Sequence, residues 1–300
     1  MEQLTVPVAF IIFNRLDTTM EVFAQIRKAR PERLYLISDG ARPDRKGEAD
    51  RVKKVREYVE QHVDWPCCVR KNYAPENMGC RDRVASGITW VLEQEEMTII
   101  LEDDCKPVRD FFPYMEEMLI RYKDDDRVMM VSGTNLVKGY RIRNSYTFSW
   151  FSSIWGWGTW KRAWNKYDVD IKSWPSLERD GYFKKFYRPL TYYLMTRDFG
   201  KVYRHEKDTW DHQWDYVRIA NKGLGIVPNV NMIENLGFER EDATHTTGKA
   251  GYEFSCGEMQ FPLTHPERIE QDAGYDAVYQ KELFGLKRIW NFLLKKIGRH

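Results

Sequence analysis

The sequence predicts an α/β protein with a mostly parallel sheet flanked by helices, followed by a second half of helices and loops. Short apolar segments recur through residues 1–135 and are continuous rather than alternating, as expected of strands buried on both faces. Helical patterns lie between these segments, which is typical of a parallel sheet with helices on both faces. From about residue 140 this alternation ends and a Trp-rich stretch begins.

The predicted strands of the first half comprise four strong candidates and a weaker one at 66–71. The strong candidates cover 8–13 (VAFIIF), 33–38 (RLYLIS), 97–102 (MTIILE) and 127–133 (RVMMVSG). A further short strand is predicted in the second half, at 223–228 (GLGIVP).

The helices between these strands are predicted from capping residues and apolar stripes. Asp17 and Thr18 are the expected caps of a first helix, because short polar side chains can satisfy its free backbone N–H groups. A charged helix is predicted over 45–62, and apolar stripes predict two more, over 84–92 and 111–122.

The second half has no linker-like stretch that would separate it from the first. Residues 149–164 (SWFSSIWGWGTWKRAW) hold five Trp and two Gly without a clear period, and helical stretches follow to about residue 221. We therefore expect one domain over 1–275, with halves at 1–135 and 136–275, and a basic amphipathic helix over 276–300. That helix either lies on a membrane surface through residues 280–300 or docks on the core.

Composition excludes several classes of protein. A formal net charge of +2 in 300 residues gives no global field for nucleic acid. Five cysteines without a C-x-x-C pair argue against a disulfide framework or a zinc site. No secretory signal and no apolar run of about 18 residues is present, so we expect a cytoplasmic protein without a membrane span.

Three adjacent carboxylates, Glu102, Asp103 and Asp104, end the third strong strand. Ligands of α/β sheets bind at the carboxyl ends of strands, and three neighbouring acids repel one another unless a cation neutralises them. Mn²⁺ or Mg²⁺ commonly takes one or two protein carboxylates together with phosphates and water. The triplet therefore predicts a metal that holds a phosphate; the alternative is a set of acids that suits a helix dipole.

Polar residues at the other strand ends favour a nucleotide site at the same edge of the sheet. Asn14 and Arg15 follow the first strand, and Asp39 follows the second. Arg81 and Arg83, in the segment NMGCRDR, precede a helix. Together these residues predict contacts to a base, a ribose or phosphates.

The segment IILEDDCKPVRDFFPYM (99–115) resembles the variant DxD motif of GT-A glycosyltransferases, which bind nucleotide sugars through a metal. The closest likeness is to the inverting N-acetylglucosaminyltransferase I type. It continues in order through FIIFNRLDTT, LISDG, SSIWGWGTWKRAW and TWDHQWDYVRIANKGLGIVPNVN, and so covers about 6–250. The resemblance implies a GT-A (Rossmann-like) fold and a bacterial enzyme of surface polysaccharide or lipopolysaccharide synthesis. It would transfer a hexosyl or N-acetylhexosaminyl group, with a UDP-linked donor as our expectation.

The resemblance also implies roles for single residues. Asp104 would coordinate the metal, Asp103 would contact the ribose side and Glu102 the sugar, while Arg15 and Asp39 would hold the nucleotide. The half 1–135 would then bind the nucleotide and the half 136–275 the acceptor. His212 departs from the pattern, because the family has a second acid at that position.

Asp211 matches the family's catalytic base, which takes the proton of the acceptor hydroxyl. Asp211 and Asp215 lie four residues apart and would share a helix face, with His212 and Asp215 on the acceptor side. The alternative for Asp211 is a helix N-cap.

The remaining candidates are aromatic residues and one late histidine. Trp155 and Trp157 are expected to stack on a sugar, from a Gly-containing loop that moves over the donor, whereas Trp160 and Trp164 are expected in the core. His245 would contact the metal or the diphosphate.

Two other functions remain open from the sequence. A sugar-1-phosphate nucleotidyltransferase shares the sheet and the metal, but it would need glycines in the first strand–helix loop, where the chain has FNRLDTT. A non-catalytic, calcium-dependent carbohydrate-binding module would fit the aromatic and acidic residues. Such modules are usually all-β and secreted.

Overall fold

The computed structural model of the protein describes residues 3–238 and 255–285. The strands in this part of the chain are β1 Val8–Ile12, β2 Arg33–Ser38, β3 Cys68–Tyr73, β4 Met97–Glu102, β5 Cys105–Pro107, β6 Val128–Ser132, β7 Tyr146–Ser149, β8 Trp157–Trp160, β9 Leu224–Pro228 and β10 Ile233–Asn235. The helices there are α1 Leu16–Ala29, α2 Glu48–Gln61, α3 Gly79–Gln94, α4 Phe111–Arg121, α5 Lys161–Trp164, α6 Trp174–Arg179, α7 Pro189–Tyr203, α8 Asp211–Ala220 and α9 Ala273–Phe284.

The central sheet has eight strands in the order β3-β2-β1-β4-β8-β6-β9-β7. β3, β2, β1 and β4 are parallel to one another, and β6 and β9 run in the same direction. Only β8 and β7 run against them within this sheet. The prediction of a mostly parallel α/β sheet flanked by helices is therefore confirmed.

Each strand divides its apolar side chains between the two faces of the sheet, because successive residues point to opposite sides. Ile99 and Leu101 of β4 pack with α1, α2 and α4 on one face. Ile100 packs with α3, α7 and α8 on the other. This two-sided burial explains why the central strands are continuous apolar runs.

Two local predictions were wrong. Residues 157–160, expected to belong to a loop, form β8, which pairs antiparallel with both β4 and β6. The first helix begins at Leu16 with Arg15 at its N-cap, so Asp17 and Thr18 lie inside its first turn rather than capping it.

The C-terminal helix α9 begins at Ala273, before the expected boundary at residue 276. Asp272 caps it by accepting a hydrogen bond from the Tyr275 N–H, and Asp276 accepts one from Gln271. Residues 286–300, which include most of the expected amphipathic face, lie outside the described part. Among the described residues, no helix is both long enough and apolar enough to cross a bilayer.

Candidate functional site

The carboxyl ends of β1 and β4 bring Arg15 next to the acidic triplet, because these strands pair in parallel with Ile11 opposite Glu102. Arg15 donates from Nη2 to Asp103 Oδ1 at 2.5 Å and from Nη1 to Asp104 Oδ2 at 3.1 Å. One guanidinium therefore bridges two of the three carboxylates, which reduces their mutual repulsion.

Asp103 serves as an internal anchor. Its residue is only 3% exposed, and its Oδ2 accepts the backbone N–H of Phe13 at 3.2 Å while Oδ1 accepts from Arg15. Burial raises the pKa of Asp103 to about 6, aided by Asp104 and opposed by Arg15. The carboxylate of Asp103 is almost inaccessible and holds the β1–α1 turn and Arg15 in place, and its expected contact with the ribose stays a prediction.

Glu102 has a half-buried carboxylate that makes no hydrogen bond or ion pair within the described residues. Burial, followed by the charges of Asp104 and Asp103, raises the pKa of Glu102 to about 8. An unpaired carboxylate in such a place is costly unless a cation compensates it.

Glu102 and Asp104 together fit a hard divalent cation. Asp104 Oδ1 accepts only a long bond from the Cys105 thiol, at 3.4 Å. Two carboxylates are the protein share that Mg²⁺ or Mn²⁺ usually takes beside phosphate. Among the described residues no group of three or more metal-ligating side chains occurs, so the remaining positions would belong to the ligand. His245 lies outside those residues.

Asp39 organises the loop before α3. Its Oδ1 accepts the N–H groups of Gly40 at 2.8 Å and Met78 at 2.9 Å. Its Oδ2 accepts from Asn77 Nδ2 at 3.0 Å and from the Gly79 N–H at 3.1 Å. Since a carboxylate offers about four acceptor sites, all are occupied. The expected nucleotide contact of Asp39 stays a prediction, and it would require Asp39 to exchange one of these donors.

Asn14 turns toward helix α2. Its Nδ2 donates to Glu48 Oε1 at 2.8 Å, and Glu48 is fully buried beside Arg42, whose Nη2 lies 2.5 Å away. Hydrogen bonds from Arg42 and Asn14 outweigh burial and hold the pKa of Glu48 below its usual value. This buried pair was not predicted, because a charged helix such as that over 45–62 is typical of a solvated surface.

The two arginines at the start of α3 differ in accessibility. Arg83 is 5% exposed and donates from Nη2 to the carbonyl and the side chain of Asn72, and its expected role in donor binding stays a prediction. Arg81 remains accessible; its side chain pairs with Asp82 at 2.8 Å, and its N–H donates to Asp208. Of the two, Arg81 is the more accessible to a ligand.

Helix α8 begins at Asp211, with Trp210 as the N-cap residue, so the N-cap interpretation of Asp211 is wrong. Asp211 Oδ1 accepts from Thr209 Oγ1, from the His212 N–H at 2.9 Å and from His212 Nδ1 at 3.0 Å. Burial alone would raise the pKa of Asp211, but the hydrogen bonds from His212 and Thr209 hold it well below its usual value. The charge of Asp211 also contributes, after burial and the neighbouring Asp104 and Asp103, to the raised pKa of Glu102.

One turn further along α8, Asp215 pairs with Arg218 at 2.9 Å. The Asp215 side chain is 35% exposed, whereas that of Arg218 is fully buried. Burial raises the pKa of Asp215 even though Arg218 opposes the rise. Asp215 is thus an accessible carboxylate held by a buried arginine, on the helix that carries Asp211.

The Trp-rich segment divides into core and surface. Trp157 is 0% exposed and stacks on Trp210 at 5.5 Å between ring centroids, which is the packing of a core residue, and its expected contact with a sugar stays a prediction. Trp160 and Trp164 are buried, which confirms their predicted place in the core. Trp157 was misassigned to a loop because an aromatic flanked by glycines also suits a central strand that packs against a helix.

Trp155, like Trp150 of the same segment, is half-buried, and its position is consistent with a ligand contact. Its ring meets Phe238 edge to face at 5.4 Å between centroids. The adjacent Gly156 has a positive φ of 57° and its carbonyl accepts the Gly133 N–H at 2.7 Å. These contacts fix the backbone here, which argues against the expected mobile loop.

Comparisons with known proteins give little beyond this geometry. No family model matches the chain, and no curated protein matches it. One similar solved structure is the mannosyltransferase PcManGT from Pyrobaculum calidifontis in complex with GDP-Man and Mn2+, at 16% identity and a TM-score of 0.35. The match covers 60% of this chain and 48% of that one, so it spans about half the length of the solved protein.

Proposed function

We propose that this protein is a metal-dependent inverting glycosyltransferase that moves a sugar from a nucleotide-sugar donor, UDP-linked, to an acceptor hydroxyl of a glycan. One observation carries the proposal: Glu102 has an unpaired carboxylate beside Asp104, and its raised pKa includes a contribution from the charge of Asp211, whose own pKa is depressed. When the pKa values of two acids in one site are shifted in opposite directions, the two acids typically take different roles in catalysis.

Glu102 and Asp104 are the residues that would hold Mn²⁺ or Mg²⁺, with His245 as a further ligand or a diphosphate contact. When bound, the cation would supply positive charge to the leaving diphosphate. Arg15 fixes Asp104 through its 3.1 Å bond and adds a second positive charge at the same strand end. Asn14 and Arg81 are the remaining candidates for donor contacts.

Asp211 acts as the general base in this proposal. It is ionised at neutral pH, because its pKa lies well below the usual range. It takes the proton of the acceptor hydroxyl while that oxygen bonds to the anomeric carbon, and the bond to the nucleoside diphosphate breaks on the opposite side. Attack from the face opposite the leaving group inverts the anomeric carbon.

The acceptor would be oriented by residues around α8. Asp215 is accessible and can accept hydrogen bonds from sugar hydroxyls, and Trp155 offers an aromatic face for stacking. His212 lies on the same helix but is engaged with Asp211. We propose a glycan or lipid-linked glycan as the acceptor, in bacterial surface polysaccharide synthesis on the cytoplasmic side of the inner membrane.

The test is thermal stability with UDP, GDP, CDP and CMP, each with and without Mn²⁺. A ligand at about 100 times its Kd stabilises a protein by about 2.7 kcal/mol, which is a readable shift. We expect a Mn²⁺-dependent shift with UDP that Asp104→Asn abolishes. Asp124→Asn, at an exposed aspartate remote from the site, is the matched control. No shift with any nucleotide would contradict the proposal, and a shift with GDP alone would correct the donor class.

A further inference from the structure

The two carboxylate oxygens of Asp211 have different surroundings. Oδ1 accepts three hydrogen bonds, from Thr209 Oγ1, the His212 N–H and His212 Nδ1. No hydrogen bond to Oδ2 occurs within the described residues, and the side chain is 35% exposed. Oδ1 therefore fixes the side chain, and Oδ2 is available to a ligand.

His212 is itself fixed from its far side. Its Nε2 lies 2.7 Å from Lys207 Nζ and 3.5 Å from Asp198 Oδ2. Lys207 Nζ in turn lies 3.2 Å from Asp198 Oδ2. A hydrogen-bonded chain thus runs from α7 through the loop before α8 to Asp211.

The distances define which nitrogen of His212 carries a proton. In the neutral form of His212, Nε2 is the acceptor at 2.7 Å, because an ammonium group can only donate, and Nδ1 carries the hydrogen that reaches Asp211. Hydrogen bonds to Asp198 and Asp211 raise the pKa of His212 to about 9 against burial. In the charged form both ring nitrogens carry a hydrogen; Nε2 lies 3.5 Å from Asp198 Oδ2, and Nδ1–H still donates to Asp211.

We propose that Asp198, Lys207 and His212 are positioning residues that hold Asp211 by Oδ1 and reserve Oδ2 for the proton of the acceptor hydroxyl. This inference rests on the proposed function and deepens it. His212 stands where the resembled family has a second acid; a carboxylate there would repel Asp211, whereas an imidazole anchors it.

Groups from several elements act on the Asp211–His212 pair and must be considered in any pH profile. They are Asp198 on α7, Lys207 in the following loop, Asp215 on α8, Glu102 at the end of β4, Cys80 on α3 and Tyr167 after α5. Variants at His212 and Lys207 leave the other members of this set in place, so their effects can be separated from the background.

The first experiment needs no substrate. A ¹⁵N-histidine titration of the full chain, with His212→Asn identifying the signal, should show the proton on Nδ1 throughout. Lys207→Met should raise the apparent pKa of His212, because a neighbouring cation opposes its protonation. Lys53→Met, at an exposed lysine on α2, should leave the titration unchanged. A neutral His212 protonated on Nε2 would overturn the proposal.

The second experiment measures turnover with the donor that binds, as transfer or as donor hydrolysis. His212→Phe should lower kcat by up to about 100-fold without changing the donor KM, since a shift of about 1 Å in a catalytic group can cost that much. The acid limb of its kcat profile should move up toward the ordinary aspartate value of about 4. His212→Asn should recover part of kcat, and His62→Phe is the remote control.

The two experiments distinguish a failure of the positioning role from a failure of the proposed function. An unchanged kcat and an unchanged acid limb in His212→Phe would overturn the positioning role. Absence of nucleotide binding in the wild type would overturn the proposed function, and the titration would then still report whether the hydrogen-bonded chain exists.

Discussion

At the end of β4, burial raises the pKa of Glu102 and Asp103; at the start of α8, hydrogen bonds lower that of Asp211. The difference lies in the supply of donors. The carboxylate of Glu102 accepts no hydrogen bond within the described chain, whereas one carboxylate oxygen of Asp211 accepts three. For Glu102 and Asp211 the direction of the pKa shift follows the donors that each receives, whereas at Asp103 burial outweighs the hydrogen bonds from Arg15 and Phe13. An unpaired acid such as Glu102 is a candidate for an external cation.

The largest expected effect comes from replacing Asp211, the carboxylate at the start of α8. Asp211→Asn removes the ionised oxygen but keeps the shape, so metal-dependent nucleotide binding should be unchanged. Turnover should fall about 10²- to 10⁴-fold, the usual contribution of a general base. Single-turnover kinetics beside the nucleotide-induced thermal shift measure both, and normal turnover would show that another group is the base.

The next largest effect is a loss of stability at the end of β4, where Arg15 pairs with Asp103. Arg15→Met leaves Asp103 buried without its partner, and breaking such a pair costs about 3 kcal/mol. Urea denaturation should show this loss, and Asp103→Asn in the same background should recover part of it. If the single variant unfolds at the wild-type midpoint, the pair is not what holds this turn.

The smallest expected effect is a change in the pH dependence of stability, which we attribute to His212 on α8. The pKa of His212 is raised to about 9 from an ordinary value of about 6.5, so its stabilisation is complete below about 6.5 and is lost as the pH rises through 9. His212→Asn should flatten the fall in stability between these values. Denaturant midpoints at both ends of the range, compared with those of His62→Asn, check this; an unchanged slope would contradict the raised pKa.

The sequence predicted those parts of the fold whose physics is local. Continuous apolar runs located β1, β2, β4 and β6, because strands buried on both faces need apolar side chains at every position. It missed β8, a short strand of Trp and Gly residues that owes its conformation to its pairing with β4 and β6.

The candidate site was predictable to the extent that strand ends identify it. The grouping of Arg15 with the acidic triplet follows from neighbouring strands in register. The saturation of Asp39 could not be foreseen, because three of its four partners come from a loop 38 to 40 residues further along the chain. Likewise, no spacing rule brings Asp198 and Lys207 to His212, since their contact depends on how α7 packs against α8.

The placement of β8 has a consequence for motion. By pairing with both β4 and β6 it connects the strands of the first half to β9 and β7 within one hydrogen-bonded sheet. Separating the two halves as rigid lobes would mean breaking central backbone ladders, which are among the most protected in a protein. Opening and closing around a donor would therefore fall to the loops at the carboxyl edge of the sheet. Amide exchange should be slow across β4, β8 and β6, and fast in those loops.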